Sequence, residues 1–388
     1  MKVLLLDTGK EWGGGTNSLL ALLRGLDRSR FDVTCVFYTE YAGLRAALDA
    51  LNIPLRIVPQ RRQPLWAKLS KELARGVLHG WPTPRAAAVA AIERRWRQVP
   101  AARALATMLA DFDVLYMNNQ PESNLEGYWA AQWAGVPVVQ HCRTRPTLSP
   151  AAVAAANQAA QVIAVSPSVA QHLQHCGVAA EHITVVLNGI DLDTPIPDRT
   201  AARATLGIAA AALITVVVAS LLPRKGVADV IRALPEVPET LLYVVGEGPE
   251  RTALHDLAHS LGVSERVVFV GFSTQVLQWM AAADVVALAS ESEGLPRVLL
   301  EAMLCGRPVV ASKVSGSQDV VEAERTGYLF PYGDVNALAA AWRHLATHAE
   351  LRAQMGQAGQ ARVRAQFGLT SYIEGVQTVL STAGRREG

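Results

Sequence analysis

Short apolar segments alternate with segments of helical length along this chain of 388 residues, and this alternation limits the possible folds more than any other feature. In the first half the apolar segments are KVLLLDT, VTCVFY, DVLYMNN, VPVVQH and VIAVS, with helical stretches such as NSLLALLRGL and LRAALDAL between them. In the second half they are ITVVVAS, TLLYVVG, RVVFVGF, DVVALAS and RPVVAS. A repeated order of strand, helix and strand predicts an α/β protein with parallel sheets.

The two series of strands are separated by DTPIPDRT at residues 193–200, which contains two prolines. Proline-containing polar segments between periodic segments are typical of a domain boundary. The chain is also too long for one ordinary core and suits two α/β domains. We therefore predict an N-terminal domain of residues 1–193 and a C-terminal domain of residues 194–366.

The overall charge and the cysteines exclude several classes of protein. Lys plus Arg exceeds Asp plus Glu by 36 − 34 = +2, so no global basic field indicates a nucleic-acid partner. The cysteines are far apart and form no C-x-x-C pair, which argues against a disulfide framework or a structural zinc site; they are Cys35, Cys142, Cys176 and Cys305. A reducing cytoplasm is the simplest location, and neither a signal peptide nor a transmembrane segment is predicted.

Residues 61–103 form the one strongly basic segment of the chain, with ten Lys and Arg against two Asp and Glu. Trp66, Trp81 and Trp96 are interleaved with these cations. Two interpretations are open. The segment is either a set of solvated helix faces with tryptophans turned to the core, or a surface that lies on an anionic membrane.

Gly13, Gly14 and Gly15 follow the first predicted strand and precede a helical stretch. Bare backbone amides at a helix N-terminus can bind a phosphate. The spacing is not G-x-G-x-x-G, so a dinucleotide site is not predicted. A tight structural turn is the alternative.

Two cations and two carboxylates follow predicted strands of the second half. Arg224 and Lys225 come after the first of them, where ligands collect in open α/β sheets, and can neutralise a diphosphate leaving group. In ESEGLPRVLLEAM, Glu293 lies in the turn after a strand and Glu301 lies eight residues on, in the next helix. Carboxylates accept hydrogen bonds from sugar and ribose hydroxyls. An ordinary surface turn and solvated helix-start residues are the alternatives.

Together, the motifs of the second half resemble glycosyltransferase family 4, the retaining transferases of the GT-B fold. They are NGIDLD (188–193), PRKG (223–226), GEGPE (246–250), VGF (270–272), the E-x7-E pair of Glu293 and Glu301, GRPVVAS, GSQDVVE and GYLFPYGD. The resemblance implies two Rossmann-like domains whose parallel sheets face each other across an interdomain cleft. It also implies that the first domain binds the acceptor, that the second binds the nucleotide sugar, and that a C-terminal helix within residues 367–388 packs back on the first domain.

The resemblance also implies functions for individual residues. Arg224 and Lys225 contact the donor diphosphate, Glu293 the transferred sugar and Glu301 the ribose. The base lies near Val270 to Phe272. The remaining donor-binding residues are Gly14, Gly15, Gly246, Gly294, Leu295 and Pro296.

The first half matches the family less well. Members often carry a His at the end of the strand that reads DVLYMNN here, where this chain has Asn118 and Asn119 instead. His141 follows the neighbouring strand. All three are candidate contacts for the acceptor or the sugar, and a core or capping position is the alternative for His141.

The expected activity is transfer of a hexose from a nucleotide diphosphate sugar, with retention of configuration, in polysaccharide or glycolipid synthesis. No cofactor and no metal are expected, because cations already stand at the diphosphate. The Asp191-x-Asp193 pair is interpreted as turn structure, and the pairs His255/His259 and His344/His348 as exposed helix faces. Two rivals remain: a sugar-nucleotide epimerase of similar fold and a non-catalytic protein that binds sugar nucleotides.

Overall fold

The protein was analysed as a computed structural model that describes residues 1–8, 13–58, 64–237 and 239–384. The chain divides into two compact units. The first comprises residues 1–164, 170–186 and 373–388, and the second comprises residues 165–169 and 187–372. The sequence predicts domain limits after residues 193 and 366, and these limits stay a prediction.

The first unit is built on a parallel sheet of seven strands in the order β3-β2-β1-β4-β5-β6-β7. These strands are β1 (Lys2–Asp7), β2 (Asp32–Phe37), β3 (Leu55–Ile57), β4 (Val114–Met117), β5 (Val138–Cys142), β6 (Gln161–Ala164) and β7 (Ile183–Val185). The helices of this part of the chain are α1 (Gly14–Gly25), α2 (Ala42–Ala50), α3 (Leu65–Val77), α4 (Pro82–Glu93), α5 (Val99–Leu109), α6 (Leu125–Ala134), α7 (Pro150–Ala156) and α8 (Pro167–His175). A π-helical turn, Arg94–Gln98, joins α4 to α5.

The second unit is built on a parallel sheet of six strands in the order β10-β9-β8-β11-β12-β13. These strands are β8 (Leu213–Val218), β9 (Thr240–Val245), β10 (Val267–Gly271), β11 (Val285–Leu288), β12 (Val309–Ser312) and β13 (Gly327–Phe330). The helices are α9 (Arg199–Leu206), α10 (Val227–Ala233), α11 (Arg251–Ser260), α12 (Val276–Ala282), α13 (Arg297–Leu304), α14 (Ser315–Val320), α15 (Val335–Thr347), α16 (Ala349–Gln366) and α17 (Leu369–Ala383). The two parallel sheets confirm the α/β fold class.

The division between the two units falls within helix α17. Its residues up to Tyr372 belong to the second unit, and those from Ile373 onward belong to the first. Within that unit the side chain of Gln377 accepts a hydrogen bond of 2.9 Å from the backbone amide of Asp27. A guanidinium nitrogen of Arg30 lies 3.1 Å from the Ser381 hydroxyl. These bonds attach the end of the chain to the loop that follows α1.

The central strands β8 and β11 are fixed at their N-terminal ends by a buried ion pair. The guanidinium of Arg203, in α9, lies 2.7 Å from Asp284 Oδ2, and the same oxygen accepts a bond of 2.8 Å from the amide of Ile214. Arg203 also donates to the carbonyls of Ala210 and Ala212, so the buried charge has several hydrogen-bond partners. This network holds in register the two strands whose other ends carry the candidate site.

Candidate donor site in the second unit

Lys225 and Glu293 form an ion pair at the carboxyl edge of the second sheet. The ammonium nitrogen of Lys225 lies 2.5 Å from Oε1 of Glu293, and both side chains are largely buried. Lys225 follows β8 and Glu293 follows β11, and these neighbouring strands are where the order of the sheet reverses. Open α/β sheets bind ligands at this switch point, outside the carboxyl ends of the strands.

A short 3₁₀ turn, Pro223–Lys225, and Gly226 connect β8 to α10. Gly226 has φ of +63°, and a Cβ atom there would lie 2.0 Å from the carbonyl oxygen of Ala289. Only glycine allows this approach of two backbones. The amide of Glu291 donates a bond of 2.8 Å to the carbonyl of Arg224, so the loops after β8 and β11 are joined directly. The side chain of Arg224 is exposed beside this junction.

Residues at the start of α14 form hydrogen bonds with the loop after β11. The carbonyl of Glu293 accepts hydrogen bonds from the Ser315 hydroxyl at 3.1 Å and from the amide of Gly316 at 3.3 Å. Residues Gly294, Leu295 and Pro296 are buried, and Pro296 directly precedes α13. The backbone that carries the Glu293 side chain is therefore fixed on both sides.

Glu301 lies one helical turn into α13 and pairs with Arg297, whose guanidinium is 3.5 Å from Oε1. Burial raises the pKa of the Glu301 carboxyl, and Arg297 partly opposes this shift. The other end of the same guanidinium donates 2.9 Å to the carbonyl of Gly189. The side-chain amide of Asn188 lies 3.5 Å from the carbonyl of Leu295.

Arg297 is a residue that the sequence analysis did not select. The feature of the sequence that indicates Arg297 is its spacing from Glu301, since residues four apart lie on one face of a helix. Its contact to Gly189 also explains part of the NGIDLD motif, whose backbone supports the turn of the candidate site.

The remaining predicted donor residues of the second unit lie at the ends of β9 and β10. Gly246 follows β9 with φ of +142°, and a Cβ atom there would lie 1.9 Å from the carbonyl oxygen of Ala219. Val270 is in β10, and Phe272 follows this strand with 66% of its surface exposed. These residues share the edge of the sheet with Lys225 and Glu293, because parallel strands all end on the same side.

This edge therefore combines cations, carboxylates and an exposed aromatic ring. Arg224 and Lys225 can stabilise negative charge that increases as a diphosphate leaves. The carboxylates of Glu293 and Glu301 accept hydrogen bonds from hydroxyl groups. An exposed aromatic face such as that of Phe272 can stack on a flat ring.

Polar residues at the switch point of the first unit

The first sheet carries a polar chain of three residues at its own switch point, between β1 and β4. The side-chain Nδ2 of Asn118 donates a bond of 2.6 Å to Asp7 Oδ2, and Asn118 Oδ1 accepts bonds of 3.0 and 2.8 Å from Arg143. Asp7 ends β1 and Asn118 follows β4. Asp7 and Arg143 were not selected from the sequence, although the position of Asp7 at the end of a strand was a usable signal.

The other two candidates of this unit are packed differently. The backbone carbonyl of Asn119 accepts a hydrogen bond from the side chain of Gln140. His141 has no exposed surface, and its Nδ1 lies 2.5 Å from the hydroxyl of Tyr116. Burial, together with nearby Arg143, holds the pKa of His141 well below its usual value, so its ring is neutral. Contact of either residue with a sugar stays a prediction.

Gly14 and Gly15 form the first turn of α1, and Gly13 precedes it. None of the three has a positive φ, and a Cβ atom built on any of them would meet nothing within 4 Å. Internal packing therefore does not explain the glycines, whereas close approach of a ligand to the backbone would.

Metal and membrane-spanning features

No group of three or more His, Cys, Asp and Glu side chains suited to a metal occurs among the described residues. Asp191 Oδ1 accepts 3.0 Å from the amide of Asp193, which is turn structure as predicted. The ring of His255 stacks on Phe269 with centroids 3.9 Å apart. All four cysteines are free. Within the described ranges no helix combines the length and apolar character needed to cross a membrane.

Comparison with known proteins

Two family models match the chain in succession. Residues 12–194 match Glycosyltransferase Family 4, and residues 198–362 match Glycosyl transferases group 1. The boundary between the two matches falls within the proline-containing segment that separates the predicted domains.

Similar proteins of known description are bacterial glycosyltransferases. The chain is 33% identical over 206 residues to the lipopolysaccharide core biosynthesis glycosyltransferase LpsD of Rhizobium meliloti, which covers 53% of this chain and 59% of that protein. It is 31% identical over 292 residues to the D-inositol 3-phosphate glycosyltransferase of Streptomyces avermitilis, which covers 66% of this chain and 62% of that protein. The aligned parts thus span about three-fifths of these relatives.

Solved structures match over almost the full chain. Anabaena HepE in complex with UDP-glucose superimposes with a TM-score of 0.81 at 27% identity, covering 98% of this chain and 100% of that one. The lipopolysaccharide glycosyltransferase WaaG superimposes with a TM-score of 0.71 at 19% identity, covering 99% and 100%, and shows the likeness of fold. The two Rossmann-like sheets and these matches define a glycosyltransferase of the GT-B fold. The chain belongs to glycosyltransferase family 4, as its motifs predicted.

Proposed function

We propose that this protein transfers a sugar from a nucleotide diphosphate sugar to an acceptor hydroxyl, and that its second unit binds the donor. The observation that carries this proposal is the Lys225–Glu293 pair at the switch point of the second sheet. It places a cation and a hydroxyl-binding carboxylate within one hydrogen bond of each other. The complex of HepE with UDP-glucose supports a donor of this class.

In the proposed complex, Arg224 and Lys225 bind the diphosphate, and Glu293 accepts hydrogen bonds from the sugar. Glu301 binds the ribose, and the base lies near Val270 to Phe272. Gly246, Gly294, Leu295 and Pro296 line the donor, and the amides of Gly14 and Gly15 approach a donor phosphate. Lys225 then exchanges one anionic partner, Glu293, for another, which leaves the carboxylate available to the sugar.

The transfer step breaks the bond between the anomeric carbon and the diphosphate oxygen, and the electron pair leaves with the diphosphate. The acceptor oxygen forms the new bond to that carbon, and its proton passes to the departing diphosphate. With retention, attack occurs on the face that the diphosphate leaves. Catalysis is then mainly positional and electrostatic, and the two cations supply charge stabilisation without a metal.

We place the acceptor in glycolipid or polysaccharide synthesis, with Asn118 and Asn119 as its candidate contacts. The burial of His141 favours the alternative of a core position for that residue. Several relatives support this class, because their names refer to lipopolysaccharide core synthesis and to phosphatidylinositol mannoside. The transferred unit is a hexose. The four free cysteines support a reducing compartment, the cytoplasm.

The first test is a thermal-shift screen against UDP, GDP and ADP and their hexose conjugates. A ligand that binds only the folded protein raises its melting temperature. We expect one nucleotide class to give a selective shift that Arg224→Ala reduces. No shift with any of these donors would contradict the proposal.

The second test separates transfer from the rival activities. A transferase consumes its donor faster when an acceptor glycolipid is added, whereas an epimerase interconverts sugar nucleotides without one. A protein that only binds the donor shows a thermal shift and no turnover with any acceptor. Product analysis by NMR then reports the anomeric configuration, and an inverted product would exclude retention.

A further inference from the structure

Helix α3 exposes its large apolar side chains and buries a small one. Leu65, Leu69 and Leu73 are 77%, 68% and 68% exposed, whereas Ala67 on the opposite side is fully buried. A surface helix of a globular protein normally turns its apolar stripe to the core. The orientation of α3 is therefore the reverse of the ordinary one.

The exposed side chains form one continuous stripe. Leu65, Leu69, Leu73 and Val77 recur every four residues, so they lie one above another along the helix. Trp66 at the start of the helix and Trp81 just beyond its end are also more than half exposed. An exposed apolar surface of this extent marks a site of interaction.

Contacts with α4 and with the π-helical turn fix this orientation of α3. The ammonium of Lys71 lies 3.0 Å from Glu93 Oε1 of α4, and the Lys71 side chain is only 12% exposed. The indole of Trp66 meets that of Trp96 edge to face, with ring centroids 4.4 Å apart. The interpretation of the sequence in which the tryptophans turn to the core is therefore wrong for Trp66 and Trp81, which are exposed.

Exposed cations occur on α3 and on the π-helical turn that contacts it through Trp96. Lys68 and Arg75 of α3 are exposed, as are Arg94, Arg95 and Arg97 of the π-helical turn. Residues 61–103 carry ten cations and two acidic residues, although residues 61–63 lie outside the described ranges. A second copy of the chain placed on this face would bring like charges together, which disfavours association.

We propose that α3 docks this protein on an anionic lipid bilayer, with its leucine stripe at the boundary of headgroups and acyl chains. The cations then lie among the lipid headgroups, and Trp66 and Trp81 anchor the two ends of the helix at the interface. This docking goes beyond the proposed function and needs neither donor nor acceptor. A transferase held in this way meets a lipid-linked acceptor in the plane of the membrane.

The apolar stripe is tested by sedimentation of the full chain with vesicles of phosphatidylcholine mixed with phosphatidylglycerol. Leu69→Gln combined with Leu73→Gln should weaken binding about tenfold or more, because each buried leucine contributes substantially to transfer from water. Leu261→Gln, at a similarly apolar but less exposed position outside this region, should bind like wild type. Undiminished binding by the double variant overturns the proposal.

The role of the exposed cations is tested on the same vesicles. Lys68→Gln combined with Arg75→Gln should weaken binding roughly tenfold at low salt and reduce its sensitivity to salt. Arg24→Gln, an exposed cation at the end of α1, is the matched control. Equal recovery of wild type with anionic vesicles and with vesicles of phosphatidylcholine alone overturns the choice of an anionic surface.

Two further measurements distinguish membrane docking from self-association and from failure of the donor site. Sedimentation velocity without lipid should show that the leucine variant and wild type have the same oligomeric state. A wild-type dimer that the variant dissociates would assign the stripe to a second copy and overturn the proposal. The thermal shift with UDP should be equal in both proteins, so that loss of docking is distinguished from failure of the donor site.

Discussion

The ammonium of Lys225 and the carboxylate of Glu293 are 2.5 Å apart at the end of adjacent strands, although 68 positions separate them in the sequence. Asp7 and Asn118 meet in the same way in the first sheet, with 111 positions between them and 2.6 Å between their polar atoms. In both sheets the chain runs outward from a central pair of strands. The loops that follow the two central strands lead to opposite sides of the sheet and leave a crevice between them. Side chains from distant segments of the chain therefore meet there.

The Lys225–Glu293 pair predicts a coupled loss of activity. Lys225→Ala and Glu293→Ala should each lower kcat by about 10²–10³, because each removes a charge aligned with the reacting groups. The double variant should lose less than the product of the two single losses, since residues that act as a unit are not additive. Initial rates with saturating donor, with circular dichroism to verify folding, measure this.

The matched control for that experiment is a surface ion pair of the same unit. Arg343 lies 3.4 Å from Glu236, and both side chains are about half exposed or more. Arg343→Ala should keep wild-type turnover, because exposed ion pairs contribute little. Wild-type turnover in both Lys225→Ala and Glu293→Ala would remove these residues from the site.

Gly226→Ala should disrupt the junction of the two loops. The new methyl group combines an unfavourable φ of +63° with a clash against the carbonyl of Ala289. Gly207→Ala separates these causes, because Gly207 has φ of +68° but open space around it. We expect Gly207→Ala to cost about 1 kcal/mol of unfolding free energy and Gly226→Ala clearly more, with loss of donor binding as well. Equal losses in chemical denaturation would show that the close approach is unimportant.

The strands of both sheets show what the sequence could predict. Ten apolar segments were predicted as strands, and all ten occur. The three strands that were missed, β3, β7 and β13, lie at sheet edges and have three or four residues each. An edge strand has a neighbour on one side only, so fewer of its positions need be apolar and its signal in the sequence is weaker.

The candidate site was predictable to a similar degree. Arg224, Lys225, Glu293 and Glu301 were selected because each stands in a turn after a strand or at the start of the next helix, and their contact with the donor stays a prediction. The pairing of Lys225 with Glu293 required the order of the strands, which local sequence does not contain. The spacing of Arg297 and Glu301 could have indicated their pairing, whereas the contact of Arg297 with the backbone of Gly189 spans 108 positions and has no local signal.

The raised pKa of Glu301 predicts opposite effects of pH on stability and on binding. Just above the ordinary carboxyl value of 4.5, the folded carboxyl still holds a proton that the unfolded chain has lost. The free energy of unfolding therefore falls as pH rises through this window. Only the ionised carboxylate is purely an acceptor, so affinity for UDP should weaken on acidification through the same window.

Titration calorimetry with UDP from about pH 8 to about pH 5 measures this effect, in a range where an ordinary glutamate stays ionised. Glu301→Gln should bind more weakly at high pH and lose this part of the pH dependence. Glu236→Gln, in the exposed pair with Arg343, should keep it. Wild type and Glu301→Gln with equal affinity and the same pH dependence would contradict a ribose contact through this carboxylate.

A substitution at the start of α1 should raise the stability of the protein and lower its activity. Gly14→Ala adds a methyl group into open space in a helical turn, so the unfolding free energy should rise by about 0.5–1 kcal/mol. The same methyl group would lie between the backbone and an approaching phosphate, and turnover should fall. Gly76→Ala in α3, which also has open space, should share the gain in stability without loss of turnover. If Gly14→Ala is more stable and fully active, these glycines do not face the donor, and the anion site at α1 is excluded.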